Sequence, residues 1–136
     1  MPHLTSTEIA GRIEDLYGAP LADLETHAKA QPPGMLTALL GMHGTLALAE
    51  RSILFHRDHL ARFIHTDRYL SSYEVSHLLD ASRRLAEAVA VRDVQAQSAA
   101  AVLQSLAPAP APTPPSVLAP SPPAQPLPAQ SPAPSR

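Results

Sequence analysis

Apolar residues recur between Met35 and Phe63 in alternating steps of four and three residues. A 3.5-residue repeat is typical of a helix that packs against another helix along one continuous stripe. The members of this first seam are Met35, Leu39, Met42, Leu46, Ala49, Ile53, His56, Leu60 and Phe63. The pattern predicts a long helix over about 35–65, with His56 as the one polar residue of its seam.

A second seam follows a short polar connection and takes the same steps in mirror order. Ser71 and Glu74 have the capping-box spacing, in which each side chain satisfies the other residue's backbone N–H, so a helix is expected over about 72–106. The members of the second seam are Val75, Leu78, Ser82, Leu85, Val89, Arg92, Ala96, Ala99 and Leu103. When the chain folds back near Tyr69, paired positions sum to 138, which predicts a long antiparallel helical hairpin.

The pairing places Ser82 opposite His56. We expect a hydrogen bond between them that fixes the register, as buried polar residues do in coiled coils. The alternative is a layer that loses stability when the histidine is protonated.

Gly41 and Gly44 interrupt a helix that otherwise contains no glycine. Each weakens a helix by about 1 kcal/mol relative to alanine. Such glycines either kink the helix or let another backbone approach closely, and we expect the close approach at this point.

Two short helices are predicted before the hairpin. Thr5 and Glu8 form a capping-box pair ahead of a first helix, and Gly18 ends it. Its apolar residues are Ile9, Ile13, Leu16 and Tyr17, and those of the second helix are Leu21, Leu24 and Ala28.

The hairpin carries a second apolar stripe that also needs a cover. It comprises Leu36, Leu40, Ala47, Leu54, Ala61 and Ile64 on one helix and Leu79, Ala86 and Ala90 on the other. The short helices are expected to cover only part of it, and the remainder favours self-association. The predicted interaction residues are Leu36, Leu40, Leu54, Ile64 and Leu79, and the predicted partner is a second copy, a different protein, or both.

Residues 107–136 differ in composition from the helical domain predicted over 1–106. Twelve of the sixteen prolines lie between Pro108 and Pro134, and charge is almost absent there. Such sequences favour extended polyproline II rather than helix or sheet. We expect a disordered tether, with a ligand for an aromatic-lined groove as the alternative.

Composition narrows the functional classes. Ten basic and twelve acidic residues give a formal charge of −2, so the chain lacks a general basic field for nucleic acid. The absence of cysteine excludes thiol chemistry. The first residues carry no signal-peptide pattern and no apolar run is long enough to span a membrane, so a cytoplasmic, non-membrane protein is expected.

Two clusters raise chemical alternatives. The metal candidates are His56, His59, Glu74 and His77, since Glu74 and His77 have a spacing that presents two ligands from one helix face. A di-iron site also needs a facing carboxylate, and the register puts Glu50 far from Glu74. The nucleic-acid candidates are Arg57, Arg62, Arg68, Arg83 and Arg84, but acidic residues alternate with them.

A narrow helical hairpin offers little concavity for catalysis. The sequence therefore predicts an all-α, non-catalytic interaction or scaffold protein without a cofactor. The alternatives are a nucleic-acid-associated regulator and a metal-binding bundle.

Overall fold

The computed structural model describes residues 3–65, 69–108 and 124–125. Four α-helices occur within these residues: α1 (Ser6–Tyr17), α2 (Leu21–Ala30), α3 (Met35–Ile64) and α4 (Ser72–Leu106). The protein is all-α, as predicted, and α3 and α4 form the predicted antiparallel hairpin, with the most extensive interhelical contact in the structure. The predicted tail lies almost entirely outside the described residues.

The helix starts follow from local side-chain chemistry. Both capping boxes form: Thr5 N donates to Glu8 Oε2 at 2.7 Å, and Ser71 N donates to Glu74 Oε2 at 2.8 Å. In return Glu8 N donates to Thr5 Oγ1 and Glu74 N donates to Ser71 Oγ, each at 3.3 Å. Hydrogen bonds from Thr5 to the Glu8 carboxylate also lower the pKa of Glu8.

Gly18 ends α1 because it adopts φ 70°, a left-handed conformation that glycine reaches without a steric penalty. Its N–H donates to the carbonyl of Glu14 at 2.7 Å. The chain then turns directly into α2, whose first residue, Leu21, donates its N–H to Glu14 Oε1 at 2.7 Å.

The main core lies where α1 and α2 cover one half of the hairpin. Ile9 and Ile13 of α1 are completely buried, and Leu24 is the buried residue of α2. The cluster is completed by Leu39, Leu46, Ala96, Ala99 and Leu103. We call this the closed half, and we call the remainder, toward the connection between α3 and α4, the open half.

The predicted seam of α4 holds only in part in the open half, where its members Leu78 and Leu85 are half-buried. The residues buried there are Ala81 and Ala88, whereas Ser82 is exposed and Val89 is only half-buried. Ser82 and Val89 belong to the same heptad row as Ala96 and Leu103, which are buried in the cluster that includes α1 residues. Because no helix of the described chain covers this row in the open half, the side chains there stay accessible.

The predicted hydrogen bond between His56 and Ser82 is consequently not formed. His56 is half-buried, and no described polar side chain is buried. The register itself is close to the prediction, because Ser52 and Glu87, whose numbers sum to 139, line one cleft. Small alanines on α4 thus carry the contact that the prediction assigned to a polar pair.

The predicted close approach at Gly41 and Gly44 is also wrong. A Cβ built on either residue meets no atom within 4 Å. Both residues face open space, and α3 continues through them without a break. The glycines therefore weaken α3 locally without serving a contact in this chain.

Candidate protein interface

The surface that α1 covers in the closed half continues uncovered into the open half. Two contacts locate α1 and its leading residues on this side: Ser6 N donates to Glu50 Oε1 at 2.8 Å, and His3 Nε2 lies 3.4 Å from Asp93 Oδ1. Ile64 follows Glu50 by two heptads, and Leu79 precedes Asp93 by two heptads. Because such spacings return to the same side of a helix, Ile64 and Leu79 lie on the side that carries α1.

Eight residues form this uncovered surface, which we call the distal face. They are Leu54, Arg57, Ala61 and Ile64 on α3 and Val75, Leu79, Ser82 and Ala86 on α4. Exposed fractions are 64% for Leu54, 75% for Ile64 and 65% for Leu79. Arg57 is the single charged member, so the face is far more apolar than a solvated helix surface.

The predicted interaction residues divide between the two halves. Leu36 packs against the core cluster and Leu40 is half-buried, so these two already have cover within the chain. Leu54, Ile64 and Leu79 lie together on the distal face. The structure thus separates the predicted stripe into an internally used part and an unused part.

A cleft of about 570 Å³ lies at the boundary between α1 and the distal face. The residues that precede α1, including Leu4 and Thr5, form one wall, and Leu54 and Arg57 form part of the other. The cleft continues the distal face up to the N-terminus of α1.

Further exposed apolar residues lie outside the distal face, two of them, Leu48 and Val91, beside a cleft on the side away from α1, and sequence reasoning missed them. Exposed fractions are 57% for Leu48, 67% for Phe55, 41% for Val91 and 59% for Val94. We call these four residues the rear group. Leu48 and Phe55 are one heptad apart, and that spacing is the sequence signal by which a shared row could have been found.

The four metal candidates make aromatic or capping contacts instead of converging. His59 stacks on Phe55 at 6.2 Å and meets the edge of Phe63 at 5.0 Å between ring centroids. His56 contacts the Phe55 ring edge-on at 5.2 Å, and His77 contacts Tyr73 at 4.3 Å. Glu74 accepts the capping hydrogen bonds of Ser71.

Within the described ranges, no group of three or more histidine or carboxylate side chains is placed to hold a metal ion. The structure therefore does not bring the four candidates into one site.

The arginine candidates are distributed along both helices. Arg62 pairs with Asp58 at 2.6 Å and Arg84 pairs with Asp80 at 3.0 Å, each one helical turn apart. The hydrogen bond and charge of Arg84 lower the pKa of Asp80. Arg57 lies at the cleft, Arg83 is exposed, and Arg68 lies outside the described residues. Alternating charge, rather than a basic patch, is what these positions present.

Comparisons of the chain with protein-family models, curated proteins and solved structures found no match. Among the four helices described, none combines the length and the apolar character needed to cross a membrane. The functional argument therefore depends on the geometry of the distal face.

Proposed function

We propose that the chain is a non-catalytic helical scaffold protein that forms a homodimer through its distal face, with the proline-rich segment as a tether. The observation that carries the proposal is the continuity of one surface. Its first part is buried by α1, and its second part exposes Leu54, Ile64 and Leu79 by more than 60% each. Exposed apolar surfaces of this kind favour association with another chain.

A second copy is the occupant that the chain itself supplies. The apolar side chains of α1 and α2 are already used, since Ile9 and Ile13 are completely buried and Leu24 nearly so. For the segment after Pro108 the proline content predicts no further helix. A self-complementary face with one charged residue suits a two-fold symmetric contact, in which the same patch serves both subunits.

The arrangement of polar groups supports a non-catalytic role. Many polar side chains of the described chain form helix caps or ion pairs one turn apart, as at Glu8, Glu74 and Arg62. Others join elements, since Ser6 donates to Glu50 and His3 lies beside Asp93. A catalytic site usually gathers several unengaged polar groups around a cleft, whereas in the cleft beside α1 the Glu50 carboxylate already accepts from Ser6. The distal face occupies only the open half of the hairpin, so we expect weak, concentration-dependent association.

The test is sedimentation velocity of the full chain over concentrations up to several hundred micromolar. We expect concentration-dependent dimers for the natural sequence and monomers for the double variant Leu54→Gln/Leu79→Gln. The matched control is Leu48→Gln/Val94→Gln, which changes rear-group residues of similar exposure and should remain dimeric.

Circular dichroism shows whether each variant keeps its helices. The proposal fails if the natural chain is monomeric throughout the concentration range. It also fails if the control pair disrupts the dimer while the distal pair does not.

A further inference from the structure

We infer that the two copies associate antiparallel, about a two-fold axis that passes beside Leu79. In this arrangement α3 packs on α3 and α4 packs on α4 of the partner. The inference rests on the proposed function, because it specifies how the distal face meets its own copy. Three features of the structure lead to it: the position of α1, the length of the uncovered surface and the register of the hairpin.

The position of α1 excludes a parallel arrangement. α1 lies on the same side as the distal face, one helix layer above the hairpin, which is about 8–10 Å between axes. A parallel pair would bring the two α1 helices face to face and hold the hairpins two additional layers apart. The distal faces would then not touch.

An antiparallel arrangement removes this obstacle. Each open half overlaps only the open half of the other copy, and each α1 lies beyond the end of the opposite hairpin. The layer that α1 occupies over the closed half is then continued, over the open half, by the hairpin of the partner. Each copy thus completes the covering that its own short helices begin.

The length of the uncovered surface fixes the position of the axis. On α3 it runs from Leu54, just past the Ser6–Glu50 hydrogen bond, to Ile64 at the helix end, a span of about 15 Å. A two-fold axis that packs this stretch of α3 against the same stretch of the partner passes through its midpoint, level with His59. It brings Leu54 against the partner's Ile64.

The register of the hairpin shows which residue of α4 lies level with this midpoint. Facing residues of α3 and α4 sum to about 138, as Ala49 with Ala88 and Ser52 with Glu87 approximately do around one cleft. His59 is therefore level with Leu79, which lies on the distal face. Two copies of Leu79 meet at the axis, and they are the largest aliphatic residues of that face on α4.

The same overlap directs each hairpin end toward the partner's cleft. Tyr69 is 93% exposed where the described chain resumes before α4. The cleft of about 570 Å³ lies beside Leu4, at the edge of the opposite distal face. An exposed tyrosine with an apolar ring and a polar hydroxyl suits a cleft of mixed lining.

Single-cysteine cross-linking tests the geometry, because the natural chain contains no cysteine. A disulfide requires Cα atoms about 4.4–6.8 Å apart, so only residues at the axis can bond to their own copy. We expect full-length Leu79→Cys to form a covalent dimer when oxidised with diamide. Ala86→Cys, on the same face but one heptad away, would be about 21 Å from its copy and should not cross-link.

A mixed experiment keeps Leu79 intact. Leu54→Cys and Ile64→Cys should each stay uncoupled alone and form a disulfide with each other when mixed. Val94→Cys is the control for random collision, because its exposure of 59% is close to the 65% of Leu79. Sedimentation of the reduced proteins is measured in parallel.

The outcomes separate the two claims. A reduced protein that is dimeric but cross-links more readily through Ala86→Cys than through Leu79→Cys overturns the antiparallel axis and leaves the homodimer standing. A reduced natural chain that stays monomeric overturns both. Cross-linking of Leu79→Cys together with the mixed pair, and of neither control, supports the inference.

Discussion

Replacing Gly41 and Gly44 by alanine should stabilise the protein, contrary to what the sequence suggests. Both residues lie inside α3, where glycine is less favourable than alanine by about 0.8–1 kcal/mol. The new methyl groups enter open space, since a Cβ at either position meets nothing within 4 Å. The sum of the two gains is about 2 kcal/mol. Because the residues lie one turn apart on α3, both single variants are measured beside the double variant.

Urea unfolding followed by circular dichroism measures the effect at one fixed protein concentration. A gain of about 2 kcal/mol corresponds to an increase in Tm of roughly 8 °C or more for a folded unit near 100 residues. Sedimentation velocity should show unchanged association, because neither glycine lies on the distal face. A loss of stability in either single variant would show that a backbone approaches α3 there. A loss of association alone would place the partner at the glycines and contradict the assigned interface.

Other substitutions test the closed half and the helix caps. Ile13→Ala removes a completely buried side chain and should lower the free energy of unfolding by about 2–5 kcal/mol. Leu79→Ala changes an exposed side chain and, measured on dilute monomer, should change the free energy of unfolding by under about 0.5 kcal/mol. Glu50→Ala removes the acceptor for Ser6 and should cost about 1–3 kcal/mol, with faster amide exchange in α1, and Glu50→Gln should cost less because its amide oxygen still accepts. The pKa of Glu8 is lowered from its ordinary value of 4.5. The ionised cap therefore stabilises the protein at pH values above 4.5, and this stabilisation is lost as the pH falls below 4.5 through the folded-state pKa. Acid titration of Glu8→Gln, followed by amide exchange of α1, should lack that component, and an unchanged acid profile would contradict the assignment.

The helices were predictable because each is specified by its own residues. The capping boxes at Thr5 and Ser71 set two starts within a few neighbouring positions, and the long repeats specify the hairpin independently of anything else. Matching repeats also gave the approximate register, since only seven residues separate the end of α3 from the start of α4 and leave the two helices little freedom to slide.

The contact surface of α4 was not predictable from the same repeats. Rows separated by one residue, such as Ala81 and Ser82, differ by about 100° around the helix, and both fit a heptad pattern. Which row is buried depends on a third element. α1 buries Ala96 and Leu103, which made their row resemble the seam, but α1 does not extend far enough to bury Ser82.

The shortness of α1 connects the fold to the proposed function. Twelve residues give α1 about 18 Å, against about 45 Å for the thirty residues of α3. α2 adds little length, because its buried residue, Leu24, belongs to the same closed-half cluster. A hairpin so much longer than its cover must leave apolar surface open. The sequence places Leu54, Ile64 and Leu79 on that surface, where a solitary protein would carry charge. The mismatch between the hairpin and its cover is thus the structural feature on which the proposed dimer rests.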